Sequence, residues 1–131
     1  MDCKKYIDER IGRLKNIMSE KGIDTVILKK PENVFYFSNF NPVLNSHPAV
    51  MIISLDEEPC LLVHSIRYVH ACEEGKIKNV KIYGKWGANV PLAIHPVDAV
   101  RTLLGKRNRK LGLELDYCSA GFCSEVEDKL C

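Results

Sequence analysis

At 131 residues the chain has the length of one domain and enough of it to bury a continuous core. Its 46% hydrophobic and 27% charged residues are globular proportions, which exclude an intrinsically disordered chain. Nineteen basic against 17 acidic residues leave a formal charge of +2, too weak a field to point to nucleic acid or an anionic membrane as partner.

The first ten residues are charged and lack the apolar core of a signal peptide. No apolar run approaches the roughly 20 residues a membrane helix needs, so a cytoplasmic location is expected. The six cysteines form no Cys-x-x-Cys pair, which leaves zinc-ribbon and thioredoxin chemistry without footing. Cys60 sits in an apolar strand pattern and Cys72 in a helical one, the setting of reduced cysteines.

Ile7, Ile11, Leu14 and Met18 recur at helical spacing with charges between them, and Gly22 follows as a cap; a helix over about 2–21 is expected. Thr25–Leu28 reads as a short buried strand rich in β-branched residues. Pro31 suits the first turn of a short helix over about 32–38. Pro42 and Pro48 then bracket a loop that can be neither helix nor interior strand. That loop carries Asn39, Asn41, Asn45 and His47, with Phe40 and Leu44 among them.

The apolar runs 49–55 and 59–63 flank Asp56-Glu-Glu and predict a hairpin whose strands are covered on both faces. Ser65 is the expected cap of a helix through about Glu74, ended by Gly75. A strand over Val80–Tyr83 leads into a second irregular loop, 84–91, with Trp86. Pro96 and Gly105 delimit a helix over 96–104, 110–115 reads as a strand, and Ser119 opens a last helical stretch. Alternation of this kind predicts an α/β fold: a three-layer domain with a mixed β-sheet and helices on both faces. The core is expected to draw on Ile11, Leu14, Val26, Leu28, Met51, Ile53, Leu62 and Leu113.

The order Arg13-Leu14 to Met18, Lys21-Gly-Ile-Asp-Thr-Val-Ile-Leu28, Pro31-Glu-Asn-Val-Phe-Tyr-Phe-Ser-Asn-Phe40 and Glu58-Pro-Cys-Leu-Leu-Val63 resembles the N-terminal domain of the creatinase/prolidase (Xaa-Pro peptidase) family. The family phrase usually reads N-x-x-Y-x-(T/S)-G-F; here Asn39 takes the place of the Gly before Phe40. The resemblance runs from about Ile11 through Glu114 and implies a ribonuclease H-like motif. It further implies that residues 1–131 are a single non-catalytic N-terminal domain of a Xaa-Pro dipeptidase-like metallopeptidase, serving oligomerisation and substrate gating. The C-terminal pita-bread domain, which in the family supplies two Asp, a His and two Glu to a pair of divalent metals (manganese, cobalt or zinc), is then absent from this chain. No cofactor is expected here, and the isolated chain is expected to be inactive.

The same resemblance implies a homodimer, with a peptide or small amide substrate bound only when the C-terminal domain is present. Family members often place an Arg just before the second apolar strand, facing a substrate carboxylate; the matching residue is His47. His47, Phe40 and Trp86 are therefore candidate contacts to the neighbouring subunit's active site, and Phe40, Leu44 and Trp86 are expected to be exposed anchors. Other readings stand beside this one. His47 could be a solvated loop histidine or a hydrogen-bonding post of the Asn-rich turn, and Trp86 could pack on the domain edge. The parent could be a creatinase-like hydrolase of a non-peptide C–N bond, or a catalytically inactive relative used for binding or assembly.

Other chemistry finds little support in the residues. His47, His64, His70 and His95 fall in four different segments, and His70 with Glu74 reads as a solvated helix face. Thr25–Leu28 carries no carboxylate, so two-metal phosphodiester cleavage is unsupported. Gly-x-Ser-x-Gly, phosphate-loop and dinucleotide motifs are absent. Lys106-Arg-Asn-Arg-Lys110 reads as a solvated loop.

Overall fold

A computed structural model describes residues 3–42, 47–87 and 89–114. Helix α1 (Cys3–Lys21) is followed by β1 (Thr25–Leu28) and α2 (Pro31–Ser38). Next come the hairpin strands β2 (Val50–Ser54) and β3 (Cys60–His64). A 3-10 turn (Ser65–Arg67) leads into α3 (Tyr68–Glu74). Strand β4 (Asn79–Tyr83), α4 (Pro96–Leu104) and β5 (Leu111–Leu113) complete the described residues. The helical stretch expected from Ser119 lies outside them.

Among the described residues the strands form one sheet in the order β4-β3-β2-β1-β5. β2 is antiparallel to both neighbours, whereas β3–β4 and β1–β5 are parallel pairs. The sheet is therefore mixed, with β2 alone running against the rest. Period-2 alternation assigns its two faces. Val26, Leu28, Met51, Ile53, Leu61 and Val63 pack with Ile7, Ile11 and Met18 of α1, Val34 of α2 and Ala71 of α3. Ile27, Val50, Ile52, Cys60 and Leu62 pack on the other face with Ala99, Val100 and Leu104 of α4. The three layers and the helices on both faces follow from these two clusters.

Six of the eight expected core residues are buried, but Leu14 and Leu113 are only partly so. Leu14 borders the solvent side of α1, and Leu113 lies on β5, at the end of the described sheet. Cys60 is buried and free, and burial pushes its thiol up to about 11, so it is a core residue without nucleophilic character near neutrality.

One helix start differs from expectation, and a second is capped from a distant element. The cap of the 3-10 turn is His64 rather than Ser65: the Ile66 N–H donates to His64 Nδ1 at 3.1 Å. The Ser65 hydroxyl turns inward and donates to the carbonyls of Tyr83 and Gly84. At α2, Lys30 offers no side-chain cap. Instead the Glu114 carboxylate arrives from beyond β5 and accepts the N–H groups of Lys29 and Lys30 and the side-chain amide of Asn33. A carboxylate placed there satisfies orphan donors and faces the positive end of the helix.

The basic run 106–110 is not a solvated loop throughout. The Arg109 side chain is 5% exposed, and its guanidinium donates to Thr25 Oγ1 (2.9 Å), Ser54 Oγ (3.2 Å), the Leu104 carbonyl (3.0 Å) and Glu57 (2.9 Å). Arg107 stays exposed and pairs with Asp56 and Glu57. A rigid fork of donors can join several acceptors at once, and here it joins β1, β2 and the hairpin turn to the end of α4.

Candidate functional site

Because β2 alone runs backwards, the C-terminal ends of β1, β3, β4 and β5 share one end of the sheet with the start of β2. Loops leaving such an end are where α/β sheets place ligand-binding groups. Four described segments meet there: the chain before β2 with His47 and Pro48, the end of β3 with His64, the end of β4 with Tyr83 and Gly84, and the turn carrying Arg67.

His47 and His64, far apart in sequence, are stacked: their ring centroids are 4.0 Å apart with the planes inclined at 31°. The edge of the Tyr83 ring meets His64 at 5.3 Å, as the parallel register that pairs His64 with Tyr83 dictates. Tyr83 also donates its hydroxyl to the Pro48 carbonyl at 2.6 Å. On the fourth side lies Gly84, with φ of 72°; a Cβ there would come within 2.3 Å of His64 Nε2. Both the positive φ and the close approach call for glycine. Burial and the neighbouring His47 together hold His64 below the ordinary histidine range. An Nδ1 that accepts a backbone N–H requires the neutral ring with its proton on Nε2.

The 41–48 loop is tied at its other end as well. Arg67 Nη2 donates to the Asn41 carbonyl at 3.2 Å while its guanidinium lies over the Phe40 ring, 4.8 Å from the centroid. Phe40 itself is 1% exposed. The expectation of an exposed Phe40 is thus overturned: the aromatic ring packs in the core cluster with α1 and α2 and offers its face to Arg67. Leu44 lies outside the described residues. Trp86 is 57% exposed. The segment that carries it leaves and rejoins the β4 edge through Gly84 N–H to Ala93 O and Leu92 N–H to Ile82 O, and Val90, Leu92 and Ile94 are also exposed.

Among the described residues no group of three or more His, Cys, Asp and Glu could hold a metal ion. The stacked histidines are not such a site either. Their rings are stacked face over face at 4.0 Å, so their in-plane lone pairs do not converge on one point, and Nδ1 of His64 is already in use.

A family model, the creatinase/prolidase N-terminal domain, matches residues 10–131. The chain belongs to this family. Among curated proteins it is 38% identical over 73 residues to the Xaa-Pro dipeptidase of Pyrococcus furiosus, an alignment covering 56% of this chain and 20% of that protein. The prolidase structure from the same organism superposes with a TM-score of 0.65 at 28% identity, over 88% of this chain and 29% of that one. The creatinase/prolidase N-terminal domain of a Streptococcus pyogenes X-Pro dipeptidase superposes with a TM-score of 0.73 over 92% of this chain and 86% of that chain; at 14% identity it shows the fold. The chain spans about a fifth of the curated dipeptidase it matches.

For a creatinase/prolidase domain, Asn39 is the instructive departure. It caps α2 with φ of 63°, and its N–H donates to the Phe35 carbonyl at 2.8 Å. Asn is the residue besides Gly that enters this left-handed region at little cost, so the domain keeps the turn without the glycine. His64, Tyr83, Arg67 and Glu114 were not singled out as site residues in the sequence. The adjacency of His64 and Tyr83 depends on which strand lies beside β3, and Glu114 reaches a helix more than eighty residues earlier. Neither relation leaves a local spacing to read.

Proposed function

We propose that this chain is the non-catalytic N-terminal domain of a Xaa-Pro dipeptidase-type metallohydrolase, and that it assembles the oligomer and presents His47 to the active site of a neighbouring subunit. Support comes from the family membership and the identity to a Xaa-Pro dipeptidase. The observation that carries the site is the double tether of the 41–48 loop, by Arg67 at Asn41 and by Tyr83 at Pro48. A binding group on an otherwise irregular loop needs such fixing if it is to meet a substrate in one geometry.

His47 would serve as a hydrogen-bond donor to a substrate carboxylate or amide, and Trp86 as an exposed apolar wall. Phe40 contributes from beneath by seating Arg67. The divalent metals of the reaction, manganese, cobalt or zinc, would be held by residues of a second domain, since the described residues here do not provide a ligand set. An imidazole where the family often has a guanidinium supports a second reading, a creatinase-like hydrolase of a smaller C–N substrate, because an imidazole lacks the two-pronged donor fork that matches a carboxylate.

Kinetics of the full-length protein test the proposal. His47→Ala should raise KM or change substrate preference while metal content and folding stay intact. Wild-type kinetics across Xaa-Pro dipeptides and small amides would return His47 to the loop. The open reading frame that encodes the chain gives an independent check: two Asp, one His and two Glu at family spacing beyond this domain are expected of an enzyme, and their absence would indicate the binding or assembly relative.

A further inference from the structure

His64 has no duty in the proposed reaction, yet it is held on several sides at this end of the sheet. One face carries His47, Tyr83 meets the ring in a T-shaped contact, Nδ1 caps the following turn, and Nε2 abuts Gly84. We propose that His64 is the positioning residue for His47: its uncharged ring is the platform on which His47 rests, and a proton placed on His64 releases His47 from it.

Two consequences of protonation act together. Two imidazolium rings stacked at 4.0 Å repel in surroundings only partly open to water. A proton on His64 Nδ1 also turns the acceptor of the Ile66 N–H into a second donor, so the cap is lost at the same moment. The groups around the pair do not offset this. Tyr83, on β4, has its phenol pushed far up by burial, so it remains a neutral donor to Pro48 throughout. Arg67, on the 3-10 turn, is occupied by Asn41 and the Phe40 ring. On α4, which packs on the same face of the sheet, Asp98 and Arg101 pair with each other. Lys81 and Lys85 are exposed and supply no negative charge. Among the described residues no carboxylate is hydrogen-bonded to either ring.

The consequence for a full-length enzyme, weaker substrate engagement in acid, rests on the reading of His47 given above; the platform itself does not. It is tested on the 131-residue chain by nuclear magnetic resonance of the imidazole nitrogens. At neutral pH His64 should show the Nε2–H tautomer alone, with a titration midpoint below that of an ordinary histidine, and His47→Ala should move that midpoint upward. His64→Asn keeps a side-chain oxygen for the Ile66 N–H but removes the ring. It should retain the fold while the His47 ring resonances shift to those of a solvent-exposed histidine. Should His64→Asn fail to fold, the His47→Ala shift still decides the matter.

The proposal is overturned if His64 populates both tautomers, or if its midpoint is indifferent to His47→Ala. Failure of the substrate reading looks different: unchanged kinetics of His47→Ala in the full-length enzyme, with the stacking signature intact in the domain.

Discussion

The Tyr83 hydroxyl donates to the Pro48 carbonyl at 2.6 Å, so the end of one edge strand fixes the residue next to His47. Proline has no N–H, and its carbonyl is the one backbone group through which position 48 can be held. Tyr83→Phe keeps the ring and its edge contact with His64 but leaves that carbonyl without its donor. A loss of about 1 kcal/mol is expected, read as a lower urea midpoint with an unchanged slope. The His64 tautomer should not change, since the cap at Ile66 does not pass through the phenol. An unaltered midpoint would mean that water replaces the tether at no cost.

Leu62 is fully buried between the sheet and α4. Leu62→Ala removes methyl groups from a packed interior and should cost roughly 2–5 kcal/mol. Urea or thermal unfolding measures it, and a wild-type midpoint would contradict the placement of Leu62 on the α4 face.

Arg109 and Arg107 lie two residues apart and should behave differently. Arg109 holds the hydroxyls of Thr25 and Ser54 and the Leu104 carbonyl. Arg109→Met leaves these buried or half-buried acceptors without their shared donor, and a loss of about 1–3 kcal/mol is expected. Arg109→Lys should not restore it, because one ammonium cannot span three elements. Arg107, whose partners are exposed on the hairpin turn, should tolerate Arg107→Ala without a change in unfolding midpoint. Equal effects at the two positions would refute the assignment of the inner role to Arg109.

The domain should lose stability in mild acid through His64. Its folded form resists protonation, chiefly through burial and secondly through His47, whereas the unfolded chain takes up a proton near the ordinary histidine value of about 6.5. Between that value and the lower folded one, the unfolded state binds more protons, so stability rises with pH across the window. The contribution is fully present above the unfolded value and is lost as pH falls toward the folded one. Urea midpoints measured from neutral pH down to pH about 5 should fall more steeply for the wild type than for His64→Asn. Parallel curves would assign the acid sensitivity to other groups.

Much of the fold was legible because its signals are local. The positions 25–28 and 50–53 are β-branched or apolar throughout, and burial on both faces gives a strand that continuous pattern. Pro31, Gly22 and Gly105 mark helix ends by backbone chemistry that needs no tertiary partner. The end that was misread is one whose expected cap is drawn to a distant partner. Ser65 looks like a cap in sequence, but its hydroxyl finds deeper acceptors on β4, and the imidazole before it takes the N–H instead.

The candidate site divides in the same way. Sequence alone determined that a constrained, polar loop precedes β2 and that His47 stands next to Pro48, since both follow from proline geometry and residue order. Which side chains surround His47 was decided only by the tertiary structure. The parallel pairing of β3 with β4 puts His64 beside Tyr83, and the antiparallel turn of β2 brings His47 over His64. The same distinction buried Phe40 and Arg109, two residues whose local surroundings in sequence are polar. Periodicity reports the face a residue occupies within its own element; the residues it meets across elements depend on strand order and register, which are set by the cooperative burial of two apolar faces at once.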